Sequence, residues 1–238
     1  MLLRYLGALA LADYERSGAA DPKANTWLKD SFRRIPQGDG RWLEVILQTG
    51  RASLRGTSKS FFAEAPSIWV TSPTDYAPLT GALARLRDLR NADVHDQAMV
   101  SDALAEHWLS EALPVWQKIL EKAAPLFRYP LLSVEGHEGF EGESLNVYLV
   151  RWLAGQSLFS RWEKMAWAAR LSKGRVYLCN ARRDAFLKLD PFLAYRPCAI
   201  TRSHEAWSLD LISDEVTFVT FRFSQKDKSR IELPRCLS

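Results

Sequence analysis

Pro125-Leu126-Phe127-Arg128-Tyr129-Pro130-Leu131-Leu132-Ser133-Val134 is the junction on which the fold turns. Upstream of it, apolar residues recur at helical spacing. Downstream they fall in short runs, rich in β-branched and aromatic residues and separated by Gly, Asn, Asp or Ser, which is strand texture. The two prolines close the helical part. Neither has an N–H with which to continue a helix, and each pushes the residue before it out of the helical region. The expectation is an α+β chain, with an N-terminal α-helical bundle over residues 1–129 and a small β-rich domain over 130–238. A β region that short needs a helical face to cover it, which leaves the two parts free to pack as one unit.

Working back from Pro125, the stretch from Met99 to Lys122 reads as a helix kinked at Pro114. Its apolar face is expected to be Leu104, Trp108, Leu109, Leu113, Trp116 and Leu120. Before it, Thr74 or Asp75 caps a helix running through Leu79, Leu83, Leu86 and Leu89. Residues 55–74 read as a loop holding Phe61, Phe62 and Trp69, and 36–40 as a turn cluster. Between them, Trp42, Val45 and Ile46 belong to a helical pattern reaching Leu54. Asp21-Pro22 opens a helix with Trp27, Leu28, Phe32 and Ile35, and Met1 to Ser17 forms a first helix ended by Gly18. That first segment lacks the basic residues that precede a signal peptide's apolar run and is too short to span a bilayer, so a buried helix is expected. So abrupt an apolar start is also what a fragment of a longer protein would show.

Forward from Pro130, strands are expected at 131–134, 145–152, 175–179, 206–212 and 216–223. Glu135-Gly136-His137-Glu138-Gly139 reads as a Gly-rich acidic turn and Asp214-Glu215 as a hairpin connection. Trp162 to Leu171 fits either a short helix or a strand.

Composition narrows the function classes. With 47% hydrophobic and 25% charged residues, the chain is ordinary for a soluble globular protein, and disorder over most of its length is not expected. The net charge of +4 comes without a dense Lys/Arg run, so it permits nucleic acid without pointing to it. Cys179, Cys198 and Cys236 form no CxxC pair, and their odd number argues against a disulfide framework. No Cys/His cluster has zinc-ligand spacing. A cytoplasmic protein with no metal and no cofactor is expected. There is no Gly-x-x-x-x-Gly-Lys-Ser/Thr loop, no Gly-x-Gly-x-x-Gly fingerprint and no Gly-x-Ser-x-Gly elbow, so nucleotide hydrolysis, hydride transfer and a serine-hydrolase elbow have no motif behind them.

One segment does carry chemistry. Arg90-Asn91-Ala92-Asp93-Val94-His95 lies where one long helical pattern ends and the next begins. RNA can be cut by its own 2′-hydroxyl attacking the adjacent phosphate. That reaction needs a base for the 2′ proton, an acid for the leaving 5′ oxygen and positive charge beside the phosphorane. Histidine transfers protons near neutral pH. Arginine keeps its charge, and its planar fork grips two oxygens. On this reading His95 transfers the proton and Arg90 clamps the phosphate. Asn91 holds His95 or a phosphate oxygen, and Asp93 orients a ring nitrogen or begins the next helix. On an unbroken helix, side chains five positions apart diverge by about 140°, so a break or cap at Asn91 or Asp93 is expected to let them converge. One copy is also sparse for an acid/base pair. Two copies across a twofold axis double the equipment, which makes a homodimer the expected form.

The same six residues resemble the Arg-polar-x-x-x-His motif of the HEPN superfamily. Leu83-Ala84-Arg85-Leu86-Arg87-Asp88-Leu89 is similar to the Leu/Arg-rich helix that often precedes it. The resemblance covers roughly residues 1–125 and does not extend to the C-terminal half. It implies a helical bundle, usually dimeric. It also implies a metal-independent endoribonuclease of a prokaryotic toxin–antitoxin, antiviral defence or CRISPR-associated system, acting on single-stranded RNA. Some members of the superfamily have no nuclease activity and serve as dimerisation or RNA-binding modules. A non-catalytic sensor or scaffold, with a regulatory protein or ligand at the β-rich domain, is therefore the alternative expectation.

Other polar clusters have plainer readings. His107 follows Glu106 on a helix and is expected at the surface. His137 between Glu135 and Glu138 is a metal-ligand candidate or a solvated acidic loop, and the loop is favoured. His204 is expected in a loop. Arg182, Arg183, Lys188, Arg196 and Arg202 interleave with Tyr177, Phe186, Phe192, Tyr195 and Trp207. That pattern suits base stacking along a phosphate backbone, or simply a half-buried sheet with charges outside, and the sheet is favoured.

Overall fold

The computed structural model describes residues 2–34, 38–56, 59–72, 74–95, 102–142, 144–153, 161–221 and 225–238. Helices come first: α1 Leu2–Arg16, α2 Pro22–Arg34, α3 Asp39–Arg55, α4 Ala65–Ile68, α5 Pro78–His95 and α6 Asp102–Ala123, followed by a 3-10 turn at Ala124–Arg128. Strands follow: β1 Leu131–Glu141, β2 Leu145–Trp152, β3 Arg161–Trp167, β4 Val176–Cys179, β5 Phe186–Lys188, β6 Leu193–Pro197, β7 His204–Ile212, β8 Val216–Thr220 and β9 Lys226–Ser229. They form two antiparallel sheets, ordered β3-β2-β1-β4-β5 and β6-β7-β8-β9.

Local chemistry sets the helix ends. Gly18 takes a φ of +100° just beyond α1, a conformation in which a side chain would be strained. The Asp21 carboxylate accepts from the Ala24 N–H at 3.0 Å, capping α2 ahead of Pro22 in the first turn. The Tyr14 hydroxyl accepts from the Asp21 N–H and donates to Asn25, so the end of α1 is tied to the start of α2. The α1 segment is buried from Leu6 to Tyr14, as its apolar sequence suggested.

Helices and strands share one core. Leu6 and Leu9 of α1, Leu28 and Phe32 of α2, Trp42 and Ile46 of α3 and Leu83 of α5 belong to the same buried cluster as Val176, Leu178, Trp207, Phe218 and Leu237. The strand pleat divides β4 between two environments. Val176 and Leu178 join this core, while Tyr177 and Cys179 join a smaller one with Leu132, Val134, Tyr148, Val150 and Trp167. With both faces covered, all four residues of β4 are buried.

The structure departs from the sequence expectations at several places. Glu135 to Gly139 is not a turn. It lies inside β1, where register shifts between Val134 and Gly136 and between His137 and Gly139 leave Glu135 and Glu138 as the extra, bulged residues while both glycines stay paired with β2. The 55–74 loop contains the one-turn helix α4 and joins Tyr76 through a bridge at Val70. Helix α5 begins at Pro78 rather than beside Thr74 or Asp75, whose polar groups close a small turn with Ser72 instead. Trp162 to Trp167 is strand, paired residue for residue with Asn146 to Arg151 of β2, and the strand ends before 168–171. The short strands β5, β6 and β9 were not anticipated.

The largest departure concerns α6. Its core-facing residues are Ala112, Ile119 and Ala123, with Trp108 and Val115 half-buried. Leu109, Leu113, Trp116 and Leu120, expected on the buried face, point outward.

Candidate functional site

Helix α5 delivers the Arg90–His95 segment. Its early turns are anchored by Leu79 and Leu83 in the core. The Thr80 hydroxyl donates to the Trp69 carbonyl at 2.8 Å, fixing the start of the helix against the segment after α4. Further along, Arg85 pairs with Glu111 of α6 at 3.2 Å, and Arg87 pairs with its neighbour Asp88. The last turns emerge from the core, and Arg90 and Asn91 are exposed there.

The backbone stays helical through His95, so no break or cap falls at Asn91 or Asp93. The side chains of Asp93 and His95 lie outside the described residues, as does all of 96–101. Positions 90 and 95 of an unbroken helix are about 140° apart around its axis. The convergence within one copy that the sequence reading required is therefore not provided by the course of α5.

Other singled-out residues have structural partners. His107 is exposed on α6. His137 lies against Phe140 and Tyr148, while Glu135 and Glu138 face the cross-strand cations Arg151 and Lys164 at 3.6 and 2.6 Å. Among the described residues no group of three His, Cys, Asp or Glu side chains is placed to hold a metal. Of the proposed base-stacking aromatics, Tyr177, Phe192 and Trp207 are buried and cannot present a face to a nucleotide.

The strands do assemble a cation–aromatic ladder that the sequence reading missed. The Arg151 guanidinium sits 4.2 Å from the Trp162 ring centre and 5.8 Å from that of Tyr195, and Tyr195 stacks on His204 at 5.4 Å. Arg183 lies 4.7 Å over Trp152, whose indole N–H donates to Glu163. The signal was the cross-strand register, in which Arg151 stands opposite Trp162, and register is not visible before pairing is known.

Two carboxylates at the end of α1 are also distinctive. Asp13 is buried and accepts from the Phe61 N–H at 2.7 Å and from the Ser60 hydroxyl. Burial pushes its carboxyl above the ordinary carboxylate range, against the pull of those two donors and of Arg16. Burial also pushes Glu15 up. The Cys236 and Arg235 N–H groups outweigh it, and the result is a lowered value. Its salt-bridge partner is the Arg235 side chain at 3.3 Å. A cavity of about 730 Å³ opens beside Glu15, lined among others by Arg16, Arg175, Lys188, Arg230 and Arg235. Asp13 borders a second cavity of about 350 Å³ with Ser60, Phe62 and Trp69.

The fold is thus mixed α+β, with α1 and α2 packed against strands of two antiparallel sheets. No family model, no curated protein and no solved structure matches the chain. Among the described residues no helix is long and apolar enough to cross a membrane.

Proposed function

We propose that this chain is a metal-independent endoribonuclease of a prokaryotic defence or toxin system, cleaving single-stranded RNA by 2′-hydroxyl attack. The observation that carries the reading is the Arg90–His95 segment, set on the emergent end of a helix whose Arg90 and Asn91 are exposed. Arg90 binds the phosphate and stabilises charge on the phosphorane. His95 moves the proton, with Asn91 and Asp93 in supporting positions. Because α5 is continuous through the segment, Arg90 of one copy works with His95 of a second, and the homodimer is the active form.

The experiment is RNA cleavage by the purified chain in EDTA, comparing wild type with Arg90→Ala and His95→Ala. The expected result is cleavage with a 2′,3′-cyclic phosphate end, lost in both variants while fold and mass are kept, and no cleavage of DNA, which lacks the nucleophile. Equal cleavage of DNA, dependence on a divalent metal, or unchanged activity in both variants would overturn it.

A specific observation favours a second reading, a non-catalytic sensor or scaffold. The outward apolar face of α6 and the cavity beside Glu15, lined by both cations and carboxylates, are surfaces suited to partners. Under this reading His95→Ala leaves the cellular phenotype intact.

A further inference from the structure

Folding leaves one apolar stripe of α6 uncovered. Leu109, Leu113, Trp116 and Leu120 are 56%, 57%, 40% and 59% exposed. Their spacing of four, three and four residues places them within roughly 60° of one another around the helix axis. Phe127, 82% exposed, follows Leu120 by seven residues in the turn after α6. Stray surface leucines are ordinary, but a contiguous stripe at heptad spacing is the pattern of a helix–helix seam.

The make-up and area of the stripe point to the occupant. The four side chains of the stripe are themselves uncharged, with the nearest exposed acidic groups, Asp102 and Glu106, confined to the turns before Leu109. On one side the stripe borders the core-facing Ala112 and Ala123, which are buried, and on the other the exposed polar residues Glu106, Ser110 and Gln117, which form a polar rim. Complete burial of the five side chains would remove at most roughly 600 Å² from each of two copies, about 1,200 Å² in all, which reaches the lower edge of a stable specific interface. Glu111, which holds Arg85 of α5, lies on the opposite side of α6 from the stripe, so a partner displaces no internal contact.

We infer that a second copy of this chain covers this face, with α6 packed against α6 across a twofold axis. The inference identifies the surface that the proposed homodimer uses, and its test reads mass rather than activity, so it stands or falls separately from the nuclease reading.

Sedimentation equilibrium of the purified chain at roughly 5–100 µM tests it. The expected mass is twice 27.1 kDa, with Leu113→Glu and Leu120→Glu each weakening association at least 100-fold. Leu54→Glu changes an exposed leucine of α3 and leaves the dimer intact. Helical circular dichroism checks each fold, and Leu109→Gln serves as a milder variant. A monomer at all concentrations, including one that dimerises only with another protein, would overturn the inference. So would a dimer that survives both glutamates.

Discussion

Replacing Gly7 with alanine should destabilise the protein, against the ordinary effect of that change in a helix. In an exposed helix interior, Gly→Ala gains about 1 kcal/mol. At Gly7, however, a Cβ would fall inside contact distance of Trp42 Cε3 and 2.8 Å from Cζ3. Trp42 is fully buried and edge-packed against Phe32 at 5.6 Å between ring centres, so the indole has no solvent to swing into. Overpacking of this kind costs about 1–3 kcal/mol, and so close a clash lies at the top of that range. The net expectation is a loss of about 1–2 kcal/mol, or a thermal midpoint roughly 2–8 °C lower for a chain of this size. Gly81 in α5 is the internal control. Its added Cβ would meet only Tyr76 Cβ at 3.5 Å, an ordinary contact, so Gly81→Ala should stabilise by about 0.5–1 kcal/mol. Urea denaturation followed by circular dichroism measures both. In a Trp42→Leu background the cost of Gly7→Ala should disappear, because the clash is with the ring. Equal stability of Gly7→Ala and wild type would refute the close crossing of α1 over α3.

Asp13→Ala should cost about 1–3 kcal/mol at pH 7, since the Phe61 N–H and the Ser60 hydroxyl lose a buried acceptor; a loss under 0.5 kcal/mol in urea denaturation would count against that role. The raised Asp13 carboxyl also makes native protein bind more acid protons than unfolded chain. Its contribution to stability therefore falls as pH rises from the unfolded value, 3.8, through the folded one, and Asp13→Asn should flatten that slope. Glu15 has the opposite sign. Its lowered carboxyl stabilises fully above the unfolded value of 4.5 and loses that contribution as pH falls through the folded one. Glu15→Gln should thus cost about 1 kcal/mol at pH 7, with the difference narrowing as pH falls below the unfolded value of 4.5; a gap that does not narrow at all in acid would show that the charge is not what holds the C-terminal segment to α1.

Much of the fold was legible because binary pattern and turn chemistry are local. Gly18, Asp21-Pro22 and the prolines at 125 and 130 act through their own backbone and marked element ends correctly. What was not legible depends on partners. The α6 sequence has apolar residues on two adjacent stripes, and leucine and tryptophan outweigh Ala112, Ile119 and Ala123 on any hydrophobicity count. Which stripe meets the core is decided by how close the α5–α6 packing must be, and small residues win there. The Glu135–Gly139 segment has turn composition, yet cross-strand cations at Arg151 and Lys164 and two bulges hold it in a strand. The candidate site was legible as a motif, while the continuity of α5 through it was not, because Asn91 and Asp93 are tolerated in a helix already nucleated by its core-anchored early turns.

That continuity gives the assembly a geometric condition. Arg85 of α5 pairs with Glu111 of α6, so if the helices run antiparallel Arg90 lies level with the early turns of α6, roughly 13 Å along the axis from the middle of the outward stripe. If two α6 helices pair in parallel, the Arg90 positions of the two copies lie level, roughly 20 Å apart across the bundle, and two long side chains with a phosphodiester between them span that gap. Antiparallel pairing sends them to opposite ends, roughly 35 Å apart, beyond any shared phosphate. A spin label at Arg90→Cys distinguishes the two, since Cys179, Cys198 and Cys236 are buried and leave the new thiol as the accessible one among the described residues. A composite site requires an inter-copy distance below about 25 Å between the backbones. A distance above about 30 Å would leave each copy with its own diverging Arg90 and His95, and the two-copy mechanism would fall even if the α6 interface stood.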